Sequence, residues 1–350
     1  MCKGEENMHG SVHLFESLPQ VPSPSAAPKS GGRTSGRATP LVGLIRNARS
    51  HRNEGNVPHG SEPENVIATA PARRSDLAEI LADFAARGVD CIAIDGGDGT
   101  VRDVLTCGAG VFGESWPALI VLPNGKTNAL ASDLGIPTGW TLEEALASLG
   151  AGSTVRRCPL VIAQRDHDRK QVRGFIMGGG VFNKAIALGQ RSHDLGAFNA
   201  AVVGVTAAWS VAQALLGRAD NGWRRGSRMR VRSGNGVEIP HLGGLPEDER
   251  YLLLATTLDS FPAGITPFRG IEEPVRVALL DNPRRGLLLR LAALIRGNAS
   301  AATKRRGAHV FGDESIEAEL SDSFILDGEA FPSGHYRIRA GGTLRFVTPQ

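Results

Sequence analysis

Cys91-Ile92-Ala93-Ile94-Asp95-Gly96-Gly97-Asp98-Gly99-Thr100 is an apolar run that ends abruptly in a glycine-rich turn carrying an acid. A short continuous apolar segment such as Val89–Ile94 reads as a strand buried on both faces. The glycines let the backbone pass close to a ligand. Thr100–Leu105 then reads as the start of a helix, whose unpaired N–H groups and dipole favour an anion such as phosphate. Asp98 is the unusual residue here. Its carboxylate would repel a phosphate unless a cation such as Mg²⁺ sat between them. The competing reading of the same stretch is an ordinary strand-to-helix turn with a capping aspartate.

From Pro40 to Gly150 the chain alternates strand and helix. Leu41–Ile45 and Asn65–Thr69 read as strands. Ser75–Arg87 reads as an amphipathic helix, with Ser75 as cap, Leu77, Ile80, Leu81 and Phe84 on one face and Gly88 as stop. Pro117–Leu122 is the next strand, followed by the turn Pro123-Asn124-Gly125-Lys126-Thr127-Asn128, a short helix to Leu134 and a helix over Thr141–Leu149. This order predicts a parallel sheet with right-handed crossovers, in which ligands gather at the carboxyl ends of the strands. Both glycine turns fall at that edge. In the second, Lys126 offers a charge for phosphate, and Thr127 and Asn128 offer hydrogen bonds; the plain alternative is a turn capped by Thr127 with Lys126 solvated.

From Ser153 the texture changes to short strand-like runs separated by Gly, Pro and Asp: Thr154–Ala163, Gly174–Met177, Met229–Arg232, Tyr251–Thr257, Val275–Leu280, Phe324–Leu326, His335–Arg339 and Leu344–Val347. Antiparallel strands in a sandwich are expected, with helices over Leu195–Gly217 and Pro283–Gly297. The expected organisation is a disordered tail over 1–39, rich in Ser, Pro, Gly and Ala, an α/β domain over 40–150, and a mainly antiparallel β-sandwich domain over 151–350. The tail lacks the apolar core of a signal peptide. Ala197–Gly217 carries Asn199 and Gln213 and reads as a buried helix rather than a membrane span.

The 350 residues carry 39 Lys and Arg against 36 Asp and Glu, a net charge of +3, which does not suggest a dedicated nucleic-acid binder. Cys2, Cys91, Cys107 and Cys158 form no Cys-x-x-Cys pair, so neither a zinc site nor a disulfide framework is signalled, and a reducing, cytoplasmic setting is expected.

Three motifs in this order resemble the lipid kinases with a diacylglycerol kinase catalytic domain, which include bacterial diacylglycerol kinases, sphingosine kinases and ceramide kinases. They are Gly96-Gly97-Asp98-Gly99-Thr100, then Leu122-Pro123-Asn124-Gly125-Lys126-Thr127-Asn128-Ala129-Leu130-Ala131 leading to Leu134-Gly135-Ile136-Pro137, and finally Leu326-Asp327-Gly328-Glu329. The glycine–aspartate turn alone also resembles nicotinamide dinucleotide kinases and phosphofructokinases. The resemblance implies a Rossmann-like nucleotide-binding α/β domain joined to a β-sandwich, with ATP, Mg²⁺ and lipid in the cleft between them. It implies that Gly96, Gly97, Asp98, Gly99, Thr100, Gly125, Lys126, Thr127 and Asn128 face the ATP phosphates and that Thr69 approaches the nucleotide. Asp327 is the first choice of general base and Asp98 its rival, with Asp98 and Glu329 as the carboxylates expected near the metal and nucleotide. By itself Asp327-Gly328-Glu329 reads as a plain β-turn. The family usually has Asn-Pro-x-Ser-Gly after the first strand, where this chain has Asn47-Ala48-Arg49-Ser50-His51; Asn47, Arg49 and Ser50 retain groups that bind nucleotide.

Gly178-Gly179-Gly180-Val181-Phe182 and the helix from Leu195 resemble family segments lining the lipid side. Around Leu287, Leu288, Leu291, Leu294 and Ile295 stand Arg284, Arg285, Arg290 and Arg296, with Lys304, Arg305 and Arg306 following. Such a basic amphipathic helix could rest on an anionic bilayer, or pack its leucines inward and leave the arginines solvated. The expected partners are thus a lipid substrate at a membrane surface and no nucleic acid. The oligomeric state, a homodimer included, stays open. Two other functions fit the residues: a kinase of a soluble hydroxyl compound such as a nicotinamide dinucleotide, and a non-catalytic lipid- or nucleotide-binding protein.

Overall fold

The computed structural model describes residues 15–21, 37, 39–50, 63–184, 225–281, 287, 289–298 and 300–350. The chain divides into two compact units whose segments interleave. One holds the parallel strands expected from the sequence: β1 (Val42–Arg46), β2 (Val66–Thr69), β3 (Cys91–Gly96) and β4 (Ala118–Pro123), with α1 (Leu77–Arg87), α2 (Asp98–Phe112), α3 (Ala129–Asp133) and α4 (Leu142–Gly150) between and after them. Every residue of β3 and β4 is buried, which is why both read as unbroken apolar runs. Each fully buried Ile or Leu there contributes about 1.5–3 kcal/mol of transfer free energy.

Local signals set the helices. Leu77, Leu81 and Phe84 form the buried face of α1, and Gly88 ends it in the left-handed conformation with φ 64°. Gly43 on β1 makes room for Phe84, whose ring would lie 2.4 Å from any added Cβ. The expected Ser75 cap is not formed. Asp76 closes a 3₁₀ turn by accepting from the Arg73 amide at 3.0 Å, and Ser75 bonds to Asp76 instead. α4 begins with the capping box Thr141/Glu144.

The domain boundary expected at 150 is corrected by the sheet itself. Its order is β2-β1-β3-β4-β18-β5, with β5 (Thr154–Arg157) and β18 (Leu344–Val347) both drawn from beyond that boundary. β18 runs parallel to β4 and antiparallel to β5, so the C-terminal strand fills a place the first 150 residues leave open. The unit spans 18–175, 257–266 and 339–350, including the hairpin β6 (Leu160–Gln164) and β7 (His167–Gly174).

The second unit comprises 1–17, 176–256 and 267–338. It contains β8 (Ile176–Gly180), β9 (Ser227–Ser233), β10 (Glu249–Arg250), β11 (Leu252–Thr256), β12 (Val275–Leu280), α5 (Leu291–Ile295), α6 (Ala301–Lys304), β13 (Ala308–Asp313), β14 (Ser315–Leu320), β15 (Phe324–Leu326), β16 (Glu329–Phe331) and most of β17 (Gly334–Ala340). One antiparallel sheet runs β13-β12-β11-β8-β15-β16, and another contains β10-β9-β14-β17. Phe324 and Phe331 of the first meet Tyr336 of the second in a buried aromatic cluster, with the Phe324 and Tyr336 centroids 5.0 Å apart and edge-on.

Phe15 joins that cluster, fully buried at 5.3 Å from Tyr336, in a 3₁₀ turn over Phe15–Ser17. Disorder over the whole of 1–39 is therefore corrected here: one large aromatic among small polar residues finds a core to enter. The helix expected over Leu195–Gly217 lies outside the described residues, as do 282–286 and 288 of the expected Pro283–Gly297 helix. Within the latter, α5 is helical, and Leu287 and Leu294 pack inward on Tyr251, Leu280 and Ala308. Among the described residues no helix is long and apolar enough to cross a membrane.

Candidate active site

The carboxyl ends of β1, β3 and β4 release three loops onto one edge of the parallel sheet. Gly97 is the N-cap of α2, so the turn after β3 opens directly into the first turn of a 15-residue helix. First-turn amides of a helix have no intrahelical acceptor, which suits this point to an anion. The two glycine turns are pressed together. A Cβ added to Gly125 would lie 2.3 Å from the Gly97 Cα, and one added to Gly97 would lie 2.9 Å from the Gly125 Cα. Gly96 is restricted too, because Thr100 Oγ1 would stand 2.5 Å from its Cβ.

The second turn is locked by Asn128, which sits in the left-handed region with φ 50°. Its Oδ1 accepts from the Gly125 amide at 2.9 Å, and its Nδ2 donates to the carbonyls of Gly125 at 2.9 Å and Pro123 at 3.2 Å. Thr127 caps nothing; it and Lys126 are exposed, and their side chains bond to no described residue. The cap of α3 comes from the other loop. Asp98 accepts from the Ala129 amide on Oδ2 at 2.9 Å and from the Leu130 amide on Oδ1 at 3.1 Å. Desolvation raises its pKa above the ordinary carboxylate range, opposed by those amides and by the charge of Arg102. Asp98 therefore ties the first glycine loop to the second, a role the capping alternative foresaw only for its own helix.

Removing this tie has a local consequence. Asp98→Ala leaves two helix-start amides without their acceptor, at a cost of about 1–3 kcal/mol. Hydrogen exchange at Ala129 and Leu130 is expected to accelerate while the β3 and β4 amides stay protected; unchanged exchange at those two amides would refute the assignment.

Asn47, after β1, donates from Nδ2 to Thr100 Oγ1 at 2.8 Å and accepts the Arg49 amide on Oδ1 at 3.0 Å. Ser50 is buried and donates to the Asn124 carbonyl at 2.7 Å. Arg49 is exposed at the same edge. Thr69 closes β2, its hydroxyl donating to the Leu44 carbonyl at 3.2 Å.

Four residues of this edge escaped the sequence reading. Asp95, only 5 % exposed, accepts from Arg46 Nε at 3.0 Å and from Asn124 Nδ2 at 2.6 Å, so one carboxylate joins all three loops. Its signal was present: an acid inside a strand buried throughout must find a partner. Arg102, buried one turn into α2, bonds Asp103 at 2.9 Å.

Asp327 and Glu329 belong to the other unit. Asp327 and Gly328 are the two central residues of the β15–β16 hairpin, with φ 45° and 86°. Positive φ at both is the requirement of a type I′ turn, which Asp-Gly meets at least strain. Asp327 also accepts from the Ile176 amide on Oδ1 at 2.9 Å. In the same unit, Phe182 covers Gly178 so closely that an added Cβ would meet its ring at 2.0 Å. Among the described residues no group of three or more His, Cys, Asp or Glu side chains could hold a metal ion.

The sequence model of the diacylglycerol kinase catalytic domain matches residues 44–160. The Shigella flexneri protein named "Probable lipid kinase YegS" is 34% identical over 82 residues, 23% of this chain and 27% of that protein. The Cronobacter sakazakii protein named "Probable lipid kinase YegS-like" is 34% identical over 90 residues, covering 26% of this chain and 28% of that protein. The chain thus spans about a quarter of the length of the curated relatives it matches. A solved diacylglycerol kinase from Bacillus anthracis shares the fold, with a TM-score of 0.56 at 15% identity over 89% of this chain and 98% of that one. Both glycine loops and the α3 start lie inside residues 44–160, the stretch that is similar to the diacylglycerol kinase catalytic domain.

Proposed function

We propose that this chain is an ATP-dependent lipid kinase, transferring the γ-phosphate to the primary hydroxyl of diacylglycerol or of a ceramide- or sphingoid-like lipid. The observation that carries the reading is the contact of Gly97 with Gly125, which no side chain could share, braced by Asp98 across the two loops. Glycine backbones held this close leave their amides and the start of α2 as the binding surface, and Lys126 stands exposed beside them as a point charge. Phosphoryl transfer asks little more of a protein than such positioning, charge neutralisation and a group to take the hydroxyl proton. Mg²⁺ bound to nucleotide phosphates needs only one or two protein carboxylates, and in that form it would neutralise phosphate charge.

In this reading Asp327 takes the proton from the attacking hydroxyl, and Asp98 acts as the brace of the phosphate loops. The Ile176 amide fixes the Asp327 rotamer, as a positioned base requires. Asp327→Asn is a clean test, because Asn-Gly suits a type I′ turn equally and can still accept the Ile176 amide. With radiolabelled ATP and a panel of micelle-presented diacylglycerol, ceramide and sphingosine beside free NAD, the expected label is in lipid. Asp327→Asn is expected to lower it by roughly 10²–10⁴-fold at unchanged melting temperature. Label in NAD alone would establish the soluble-substrate reading, and ATP binding without any labelled product the non-catalytic one.

A further inference from the structure

β12 and β13 are neighbours in one antiparallel sheet, and the chain between them leaves the sheet and returns. Its ends are fastened together. The Asp281 amide donates to the Gly307 carbonyl at 2.8 Å, and the His309 ring meets the Asp281 carboxylate at 2.7 Å. The inner side of this excursion is apolar, with Leu287 and Leu294 packed on Tyr251, Leu280 and Ala308.

The outer side is different in kind. Leu289 is 73% exposed, more than any other large hydrophobic side chain among the described residues. Arg290 beside it is exposed, and its guanidinium reaches Thr303 Oγ1 at 3.5 Å, which brings it next to the basic end of α6. Lys304, Arg305 and Arg306 are all exposed there, and so is Arg296 at the end of α5. Residues 287–307 hold five Arg and Lys and no Asp or Glu. Since the whole chain carries only +3, acids outnumber bases in the remainder, 36 to 34.

We propose that this face docks on an anionic lipid bilayer, with Leu289 entering the acyl boundary and the bases lying at headgroup level. An aliphatic side chain standing out beside cations suits a membrane, where apolar insertion and charge attraction add. A nucleic-acid surface would use the cations but gain little from Leu289, and residues 287–307 contain no aromatic side chain for base stacking. The inference does not depend on the kinase reading, since it concerns attachment and not transfer.

Co-sedimentation of the full chain with phosphatidylcholine vesicles, with and without phosphatidylglycerol, tests it. Binding is expected only to the anionic vesicles and is expected to weaken with added salt. At roughly fivefold per cation, Lys304→Gln/Arg305→Gln/Arg306→Gln is expected to lose about a hundredfold in vesicle affinity. Leu289→Gln is expected to lose about tenfold. Both variants alter exposed side chains, so unchanged urea midpoints accompany the loss. Equal binding to neutral vesicles, no binding to anionic ones, or full affinity in both variants overturns the proposal. So does salt-sensitive binding to a DNA duplex that anionic vesicles fail to displace. Labelling of a short-chain, monomeric lipid is the separate readout of the kinase: its loss with vesicle binding intact refutes that reading alone.

Discussion

Gly125→Ala is expected to abolish lipid phosphorylation to within about a hundredth of the parent rate while leaving a folded protein. The reason is backbone contact. The new methyl would lie 2.3 Å from the Gly97 Cα, 3.1 Å from the Gly97 nitrogen and 2.8 Å from Asn128 Oδ1. A flexible side-chain tip could swing aside, but a neighbouring main chain cannot, so the two loops must part by on the order of 1 Å. Displacements of that size at a reacting centre cost about 10²-fold in rate. Overpacking adds about 1–3 kcal/mol of destabilisation, readable as a lower urea midpoint. Gly97→Ala is expected to act in the same direction, since its methyl meets the Gly125 Cα at 2.9 Å. The control is Gly150→Ala at the end of α4, where an added Cβ meets nothing within 4 Å and φ is not positive. That variant should keep full activity and shift stability by no more than about 0.5 kcal/mol. Full activity in Gly125→Ala would mean that the loop approach has no part in phosphate binding.

The same pair of turns marks how far the sequence could be read. β3 and β4 were legible because both faces of each strand are covered, so nothing polar interrupts them. The starts of α3 and α4 were both legible, but a cap is visible in sequence only where it is local, as at Thr141 and Glu144. Asp98 caps a helix 31 residues further on, and no spacing rule encodes such a partner. β18 inserting between β4 and β5 is a pairing of the same kind, made across most of the chain. β14 was missed for a compositional reason. Its buried positions are Ile316, Ala318 and Leu320, alternating with Glu317 and Glu319, so a small alanine and two acids hid a true period of two. The Asp327-Gly328 step was legible as a β-turn, whereas the strand after it and the bond to Ile176, which joins residues 151 apart in the chain, were not.

Among substitutions that act on stability, Asp281→Asn is expected to cost the most, about 3–5 kcal/mol at neutral pH. Asp281 is fully buried at the end of β12 and Arg250 is 2 % exposed, the two bonded through Arg250 Nη1 and Asp281 Oδ1. The second carboxylate oxygen accepts from His309 Nε2 at 2.7 Å and from the Leu242 amide at 2.9 Å. Arg250 Nε has no partner among the described residues, so its charge depends on this carboxylate for compensation. Removing one member of a buried pair strands the other, and that is the origin of the 3–5 kcal/mol. Burial by itself raises the Asp281 pKa, but the His309 hydrogen bond, the Leu242 amide and the charges of His309 and Arg250 outweigh it, and the net shift is downward. An acid with a lowered folded-state pKa contributes stability above its unfolded value near 3.9, and that contribution is lost as pH falls through the folded-state value. The parent protein should therefore exceed Asp281→Asn in stability by its full margin above about pH 5, and the margin should shrink steadily below about pH 4. Urea unfolding at a series of pH values measures it directly. Replacing both charges, as Arg250→Met/Asp281→Asn, should recover a large part of the loss, because the stranded guanidinium is gone. A margin that stays constant into acid, or a double variant no better than the single one, would show that Asp281 holds this end of β12 by shape rather than by charge.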